Sequence, residues 1–290
     1  MVDVNSQVHP QRIVSLSPSN TEILFAVGAG AKVVGVTDYC NYPPELESRI
    51  KENEILKVGG YWDPSVETIV DLKPDLVVVS TAQCTVKSNN CKTSCSRKCE
   101  LTINAANQLK SLGLHVLTLA PHSMDDVLNN ILIVGTATGN SSQARTLVDD
   151  LRQRIDNVVS RTNAVSNRPR VYFEVWNNPY ISVNSATWIG NLIDLVGGTN
   201  VFGESVSEWP IICPEDIIQQ DPDVMVFPVI PDVPRFWGSF EAVKKRQGWS
   251  QISAVKTGRL YEVQRDCISR PGPRLVETLE QLETLIHTSS

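Results

Sequence analysis

Short β-branched apolar runs alternate with helical patterns from the start of the chain. In RIVSLSPSNTEILFAVGAG, residues 12–30, the apolar run predicts a buried strand, and Ser19 or Asn20 is a candidate cap for a helix beginning near Thr21. KVVGVT at 32–37 predicts a second strand, which completes a β-α-β unit. The glycines between them follow the helix instead of opening it, which argues against a dinucleotide-binding fingerprint.

The same pattern of residues occurs twice. ETIVDLKPDLVVV at 67–79 and EDIIQQDPDVMVF at 215–227 lie 148 positions apart, and Trp62 and Trp209 precede them. Each copy encodes a short helix opened by Glu, a Pro-Asp turn and a buried strand. The recurrence of these features in one order predicts two homologous lobes.

A long helical pattern separates the two copies. Residues 124–138 predict one helix ended by Gly139, and Ser141 or Ser142 is a candidate cap for the next. That next helix has apolar residues at spacing 3–4 and runs for roughly 20 residues, or ~30 Å.

The predicted fold is therefore α/β, with two Rossmann-like lobes joined by a single long α-helix and a ligand cleft between the lobes. The predicted domains are an N-terminal lobe at 1–123 with a Cys-rich insertion at 81–100, linking helices at 124–166, and a C-terminal lobe at 167–290.

Charge and composition narrow the classes of function. The 290 residues carry a net charge of −6 with a pI of about 5.3, which argues against a nucleic-acid partner. No apolar run approaches the ~20 residues of a membrane span. The segment MVDVNSQVHPQR has no apolar signal core, so we expect either a cytosolic protein or a mature form with an added Met.

Four segments carry a specific resemblance: 12–45, which ends in NYPPE; VETIVDLKPDLVVV at 66–79; EWPIICPEDII at 208–218; and SRPGPRLVETLEQL at 269–282. They resemble the helical-backbone class, class III, of substrate-binding proteins of ATP-driven (ABC) importers, and most of all its cobalamin-binding members. The match covers nearly the whole chain in order, interrupted mainly around 81–100.

The resemblance implies a function. We expect an extracytoplasmic, monomeric protein that captures cobalamin or a related corrinoid and delivers it to the membrane permease of an ABC importer. No catalysis and no catalytic cofactor are expected.

The resemblance also implies a ligand site of aromatic residues, with one acid and one arginine that face the polar rim of the ligand. A corrin is a broad ring fringed with amides, so stacked aromatic rings would bury it and a few polar groups would fix its orientation. Trp176 stands beside a position that carries an aromatic in the class, and either Tyr61 or its neighbour fills the position ahead of the first repeat. The implied residues are Tyr39, Tyr61, Trp62, Trp176, Trp209, Asp266 and Arg270.

Glu67 and Glu215, one in each lobe, match the surface glutamates that dock arginines of the permease. An alternative role is that each acid complements the dipole of the helix it opens.

Several alternatives remain. A haem or ferric-siderophore receptor, an intracellular corrinoid carrier without an importer, and an enzyme on the same scaffold are all compatible with the fold, although no Gly-x-Ser-x-Gly or His-Glu-x-x-His motif occurs. None of the four His lies in the matched ligand segments, which argues against a bare metal ion. Cys40, Cys213 and Cys267 lie beside the implied ligand residues Tyr39, Trp209 and Asp266. They could form a thiolate site, be small buried residues, or form one disulfide and leave one free thiol.

The Cys-rich insertion follows the predicted strand at 76–80. Its four cysteines could form local disulfides, bind a metal or stay reduced, and its lysines and arginines make it basic. We expect a lid at the rim of the ligand site that is stiffened by Cys84, Cys91, Cys95 and Cys99.

Overall fold

The computed structural model describes residues 9–81, 94–165 and 167–287, with the backbone alone for 94–100. The chain divides into two compact units, Met1–Pro121 with Asp126–Asp150 (here the N-lobe) and His122–Asp125 with Leu151–Ser290 (here the C-lobe). Both units are α/β, which confirms the predicted two-lobe fold.

In the N-lobe, parallel strands form a sheet in the order β3-β2-β1-β4-β5. Its central strands are buried on both faces, as their continuous apolar runs require. The elements are β1 Ile13–Ser15, α1 Pro18–Ala26, β2 Val33–Val36, α2 Pro44–Lys51, β3 Leu56–Lys57, α3 Val66–Asp71, β4 Leu76–Ser80, α4 Ser94–Ser111, β5 Val116–Leu119 and α5 Met124–Thr138. The first two residues of α5 belong to the C-lobe.

The next helix, α6 (Ser141–Asn163), is 23 residues long, or about 34 Å. It begins in the N-lobe and ends in the C-lobe, as predicted for the connecting helix. Its second half is tied to the last helix of the chain by Arg154, which ion-pairs with Glu280 at 2.7 Å, and by Arg161, which ion-pairs with Glu283 at 2.6 Å.

The C-lobe contains a parallel sheet in the order β11-β10-β6-β9 and a small antiparallel hairpin, β7-β8. The elements are β6 Arg170–Phe173, β7 Trp176–Asn177, β8 Tyr180–Ile181, α7 Trp188–Leu195, β9 Thr199–Asn200, α8 Pro214–Gln220, β10 Val224–Val229, α9 Phe240–Lys244, α10 Ser253–Thr257, β11 Leu260–Gln264, α11 Arg265–Ile268 and α12 Leu275–His287.

Corresponding strands lie in the same order in the two lobes. The series β2-β1-β4-β5 in the N-lobe repeats as β9-β6-β10-β11 in the C-lobe, with the repeated Pro-Asp turns leading into β4 and β10. The predicted internal repeat is therefore confirmed as a repeat of topology.

The first helix begins earlier than predicted. The cap is Ser17, not Ser19 or Asn20, because the Ser17 side chain accepts the backbone N–H of Asn20 and Pro18 occupies the first helical position. The expectation of a helix beginning near Thr21 was wrong by three residues.

In the described part of the chain, no helix combines the length and the apolar character needed to cross a membrane.

Candidate ligand-binding site

In a parallel sheet, the segments that follow the strands meet at one edge, where α/β proteins bind ligands. In the N-lobe, Tyr39 follows β2, and Tyr61 and Trp62 follow β3. Tyr39 is 59% exposed, while Tyr61 and Trp62 are half-buried and contact each other edge to face at 4.5 Å between ring centroids.

Tyr61 also links two strands at this edge. Its hydroxyl donates to the backbone carbonyl of Ser80 at 3.3 Å, and its own carbonyl accepts from the Thr102 hydroxyl at 3.4 Å. Because β3 and β4 are separated by two other strands, the Tyr61 ring lies across the carboxyl edge of the N-lobe sheet.

In the C-lobe, the predicted ligand residues again follow the strands. Trp176 comes shortly after β6, Trp209 follows β9, and Asp266 and Arg270 follow β11. Asp266 and Arg270 form an ion pair of 3.0 Å between Oδ2 and Nη2, four positions apart. This pair presents both charges at the carboxyl edge of the C-lobe sheet.

Trp209 packs against a second tryptophan that the sequence did not single out. Trp188 is buried, lies edge to face with Trp209 at 5.3 Å between centroids, and donates its Nε1–H to the carbonyl of Ile268 at 2.8 Å. Ile268 ends α11, the helix that carries Asp266. Trp188 therefore ties two segments of the predicted site together.

Trp176 is 41% exposed and stacks on Phe236, with centroids 4.7 Å apart and an interplanar angle of 23°. Phe236 lies in the loop after β10, sixty positions from Trp176. Nothing in the sequence pattern pointed to this contact.

A buried ion pair lies beneath the same edge. Glu174, fully buried directly after β6, accepts two hydrogen bonds from the guanidinium of Arg246, at 2.5 and 2.9 Å. Arg246 also lies over the rings of Trp249 at 4.4 Å and Tyr180 at 5.2 Å. Burial raises the pKa of the Glu174 carboxyl, against the opposing effect of Arg246.

Glu67 and Glu215 occupy equivalent places in the two lobes. Each is the second residue of its helix, α3 or α8, and each side chain is exposed. Both acids also stand in the first turn, where a negative charge complements the helix dipole. The structure therefore accommodates either predicted role.

The predicted lid lies largely outside the described residues. This applies to Cys84, Cys91 and the side chains of Cys95 and Cys99, whose backbone belongs to the beginning of α4. The pairing of these cysteines stays a prediction.

The described cysteines give no support to a thiolate metal site. Cys40, Cys213 and Cys267 form no disulfide, and the sulfur of buried Cys40 lies 3.2 Å from each of the hydroxyls of Thr21 and Thr37. Among the residues whose side chains the structure describes, which leave out 94–100, no three His, Cys, Asp or Glu form a set that could hold a metal ion.

One histidine approaches the predicted site. His122 Nδ1 lies 3.5 Å from a carboxylate oxygen of Glu208, the residue just before Trp209. His122 lies shortly after β5, which ends at Leu119.

Comparison with known proteins identifies the family. The family model for periplasmic binding proteins matches residues 13–266. The chain is 32% identical over 289 residues to YvrC, an uncharacterized ABC transporter substrate-binding lipoprotein of Bacillus subtilis, covering 98% of this chain and 82% of that one. It is 26% identical over 281 residues to the vitamin B12-binding protein of Vibrio cholerae, covering 95% and 89%.

A solved structure agrees with this relationship. It is that of a protein from Staphylococcus epidermidis described as a possible iron-binding periplasmic solute-binding protein, with a TM-score of 0.75 and 26% identity, covering 97% of this chain and 100% of that chain. The chain belongs to the periplasmic binding protein family.

Proposed function

We propose that this chain captures cobalamin or a related corrinoid and delivers it to the permease of an ABC importer. One observation carries the proposal: the residues assigned to the ligand, in each lobe, follow strands of a parallel sheet and lie at its carboxyl edge. The similarity to a vitamin B12-binding protein over 95% of the chain supports the choice of ligand.

The chemistry of these edges suits a large ring with a polar fringe. Exposed aromatic surface is available at Tyr39 in the N-lobe and at Trp176 in the C-lobe. C-lobe loops also expose the apolar side chains of Val206, Ile211 and Val233. Exposed apolar surface of this kind often marks a binding site. The Asp266–Arg270 pair offers both a hydrogen-bond acceptor and donors for amide groups.

Calorimetric titration with cyanocobalamin tests the proposal. We expect saturable binding with one ligand per chain and a negative heat-capacity change, since apolar surface is buried. Recovery of the ligand unchanged after incubation would support a role without catalysis. An absence of binding at high micromolar cyanocobalamin would overturn the corrinoid assignment.

A haem or ferric-siderophore receptor is the second candidate, favoured by the similarity to the Staphylococcus epidermidis protein that is described as a possible iron-binding protein. Titration with haem and with ferric siderophores, each in competition with cyanocobalamin, separates the two candidates. If an iron complex displaces cyanocobalamin at equal or lower concentration, the second candidate replaces the first.

We further propose that the protein works outside the cytoplasm as a monomer, since a single permease would receive one binding protein at a time. An intracellular corrinoid carrier is the alternative. Fractionation of the source cells with antibody detection distinguishes them: a cytoplasmic pool that binds corrinoid without any importer would favour the carrier.

A further inference from the structure

We propose that Phe236 is a positioning residue for ligand binding, which fixes the indole of Trp176 in the orientation that a flat macrocycle stacks on. This inference rests on the proposed function, because Trp176 is taken to contact the ligand. It adds a role for the loop after β10, which the sequence pattern did not assign.

The first support is the geometry of the two rings. An interplanar angle of 23° at 4.7 Å between centroids is an offset stack, so Phe236 covers one face of the indole. Trp176 nevertheless keeps 41% of its surface exposed. The exposed surface therefore lies on the uncovered face and edges, which a planar ligand could meet.

The second support is the set of hydrogen bonds around the stack. The Nε1–H of Trp176 donates to the carbonyl of Asn178 at 2.9 Å, which fixes the rotation of the indole in its own plane. The side-chain amide of Asn177 donates to the carbonyl of Phe236 at 2.7 Å, which joins hairpin β7-β8 to the loop. The indole is therefore held by a ring on one face and by its own N–H.

The third support is that Phe236 is itself anchored on both sides. Arg235 ion-pairs with Glu262 at 2.6 Å, and Trp237 is buried with its Nε1–H donating to the carbonyl of Pro228 at 3.1 Å. Position 236 thus lies between two fixed neighbours, and its ring packs against the C-lobe core. A rigid support of this kind lets the indole bind without first losing rotamer freedom.

Because ordering one large side chain costs binding free energy, loss of the support is expected to weaken ligand binding about three- to tenfold. Phe236→Leu removes the ring and keeps an apolar side chain, while Phe236→Tyr keeps the ring and is the matched control. The same substitutions in a Trp176→Leu background separate positioning from general effects on folding. All variants are checked by thermal unfolding before titration.

Titrations with cyanocobalamin and with haem provide the readout. We expect Phe236→Leu to weaken whichever ligand the wild type binds, Phe236→Tyr to stay within about twofold of the wild type, and Phe236→Leu to add nothing in the Trp176→Leu background. Equal weakening in both backgrounds, or none in the wild-type background, would overturn the inference while leaving the proposed function intact. If the wild-type chain binds neither ligand, the proposed function fails and the ligand role of Phe236 fails with it.

Discussion

Asp223 accepts a hydrogen bond from the backbone N–H of Arg170 at 2.8 Å, and the N-lobe repeats this contact between Asp75 and Arg12 at 2.9 Å. Each aspartate belongs to a repeated Pro-Asp turn, and each arginine starts or directly precedes the first strand of its lobe. The arginine side chains repeat as well, since each Nε donates to the carbonyl three positions before the aspartate. In each lobe, the turn at the end of a helix therefore holds the beginning of the first strand in place.

Removal of either acceptor should lower stability, and the cost at Asp75 should be at least as large because Asp75 also accepts the backbone N–H of Gln11 at 2.7 Å. We expect Asp75→Ala and Asp223→Ala each to lower the free energy of unfolding by about 1–2 kcal/mol, because a charged acceptor of a backbone N–H is lost. Urea unfolding measures the effect, with the Asn variants as controls that keep an oxygen acceptor. A cost in one lobe only would contradict the structural equivalence of the two turns.

The two tryptophans that pack edge to face should respond differently to substitution by Phe. Trp188→Phe leaves the buried carbonyl of Ile268 without its donor, and we expect a loss of about 1–3 kcal/mol in the free energy of unfolding. The Nε1 of Trp209 is buried without a hydrogen-bond partner among the described residues, so Trp209→Phe should cost less. Chemical denaturation of both variants gives the comparison, and a larger cost at Trp209 would contradict it.

Removal of one member of the buried pair Glu174 and Arg246 should lower the free energy of unfolding more than replacement of both members by apolar residues. Glu174→Ala leaves the Arg246 guanidinium without its main partner, and we expect a loss of about 3–5 kcal/mol in unfolding free energy. The double variant Glu174→Leu with Arg246→Met removes both charges together and should recover much of that loss. If the double variant is as unstable as Glu174→Ala, packing in this region depends on the polar groups themselves.

Local sequence patterns predicted the helices, the strands and the internal repeat because each of these features depends on residues that are close together in the sequence. The Pro-Asp turns, the apolar strands and the amphipathic connecting helix each occupy a continuous stretch of chain. The cap of α1 was misplaced because Ser17, Ser19 and Asn20 are all good capping residues, and only the backbone geometry selects among them.

The contacts that support the candidate site could not be predicted, since they join distant parts of the chain. Glu174 meets Arg246 across 72 positions, and Trp188 reaches Ile268 across 80. The sequence around each of these residues shows no distinctive pattern. Their contacts depend on which strands become neighbours in the sheet. The resemblance supplied the residues at the surface of the site, and the structure supplied the residues behind them.

Acid should remove a stabilising contact at Asp221, where α8 ends in a left-handed conformation with φ of 40°. The backbone N–H of Ser253 donates to the carboxylate at 2.7 Å and its hydroxyl at 2.9 Å, and these bonds lower the pKa of Asp221 from 3.8. A lowered pKa in the folded state means that this stability is present above pH 3.8 and is lost as the pH falls through the folded-state pKa.

Asp221→Asn tests this sign, since Asn tolerates the left-handed conformation. We expect the free energy of unfolding to fall by about 1 kcal/mol at neutral pH. This is less than the loss of a buried hydrogen bond to a charged group would cost, because the Asp221 side chain is exposed. The difference from the wild type should shrink as the pH falls below 3.8 in urea unfolding experiments. If the stability difference between the variant and the wild type grows as the pH falls, the prediction is wrong.

Substitution of the exposed acids Glu67 and Glu215 distinguishes a role in docking the permease from a role in stabilising their own helices. If they dock permease arginines, Glu67→Ala and Glu215→Ala should each weaken coupling to the importer about tenfold or more, and the double variant should abolish it, while the affinity for ligand stays unchanged. Ligand-stimulated ATPase activity of the importer in proteoliposomes measures the coupling. Ligand titration of the same variants confirms that the binding site is intact.

Glu45 provides a matched control, because it is also an exposed acid in the first turn of a helix, α2, without a counterpart in the other repeat. Glu45→Ala removes the same favourable dipole interaction and should leave importer stimulation unchanged. If Glu45→Ala reduces stimulation as much as Glu67→Ala, the effect reflects general surface charge. If none of the three variants affects stimulation, the acids serve their helices alone and the partner surface must lie elsewhere.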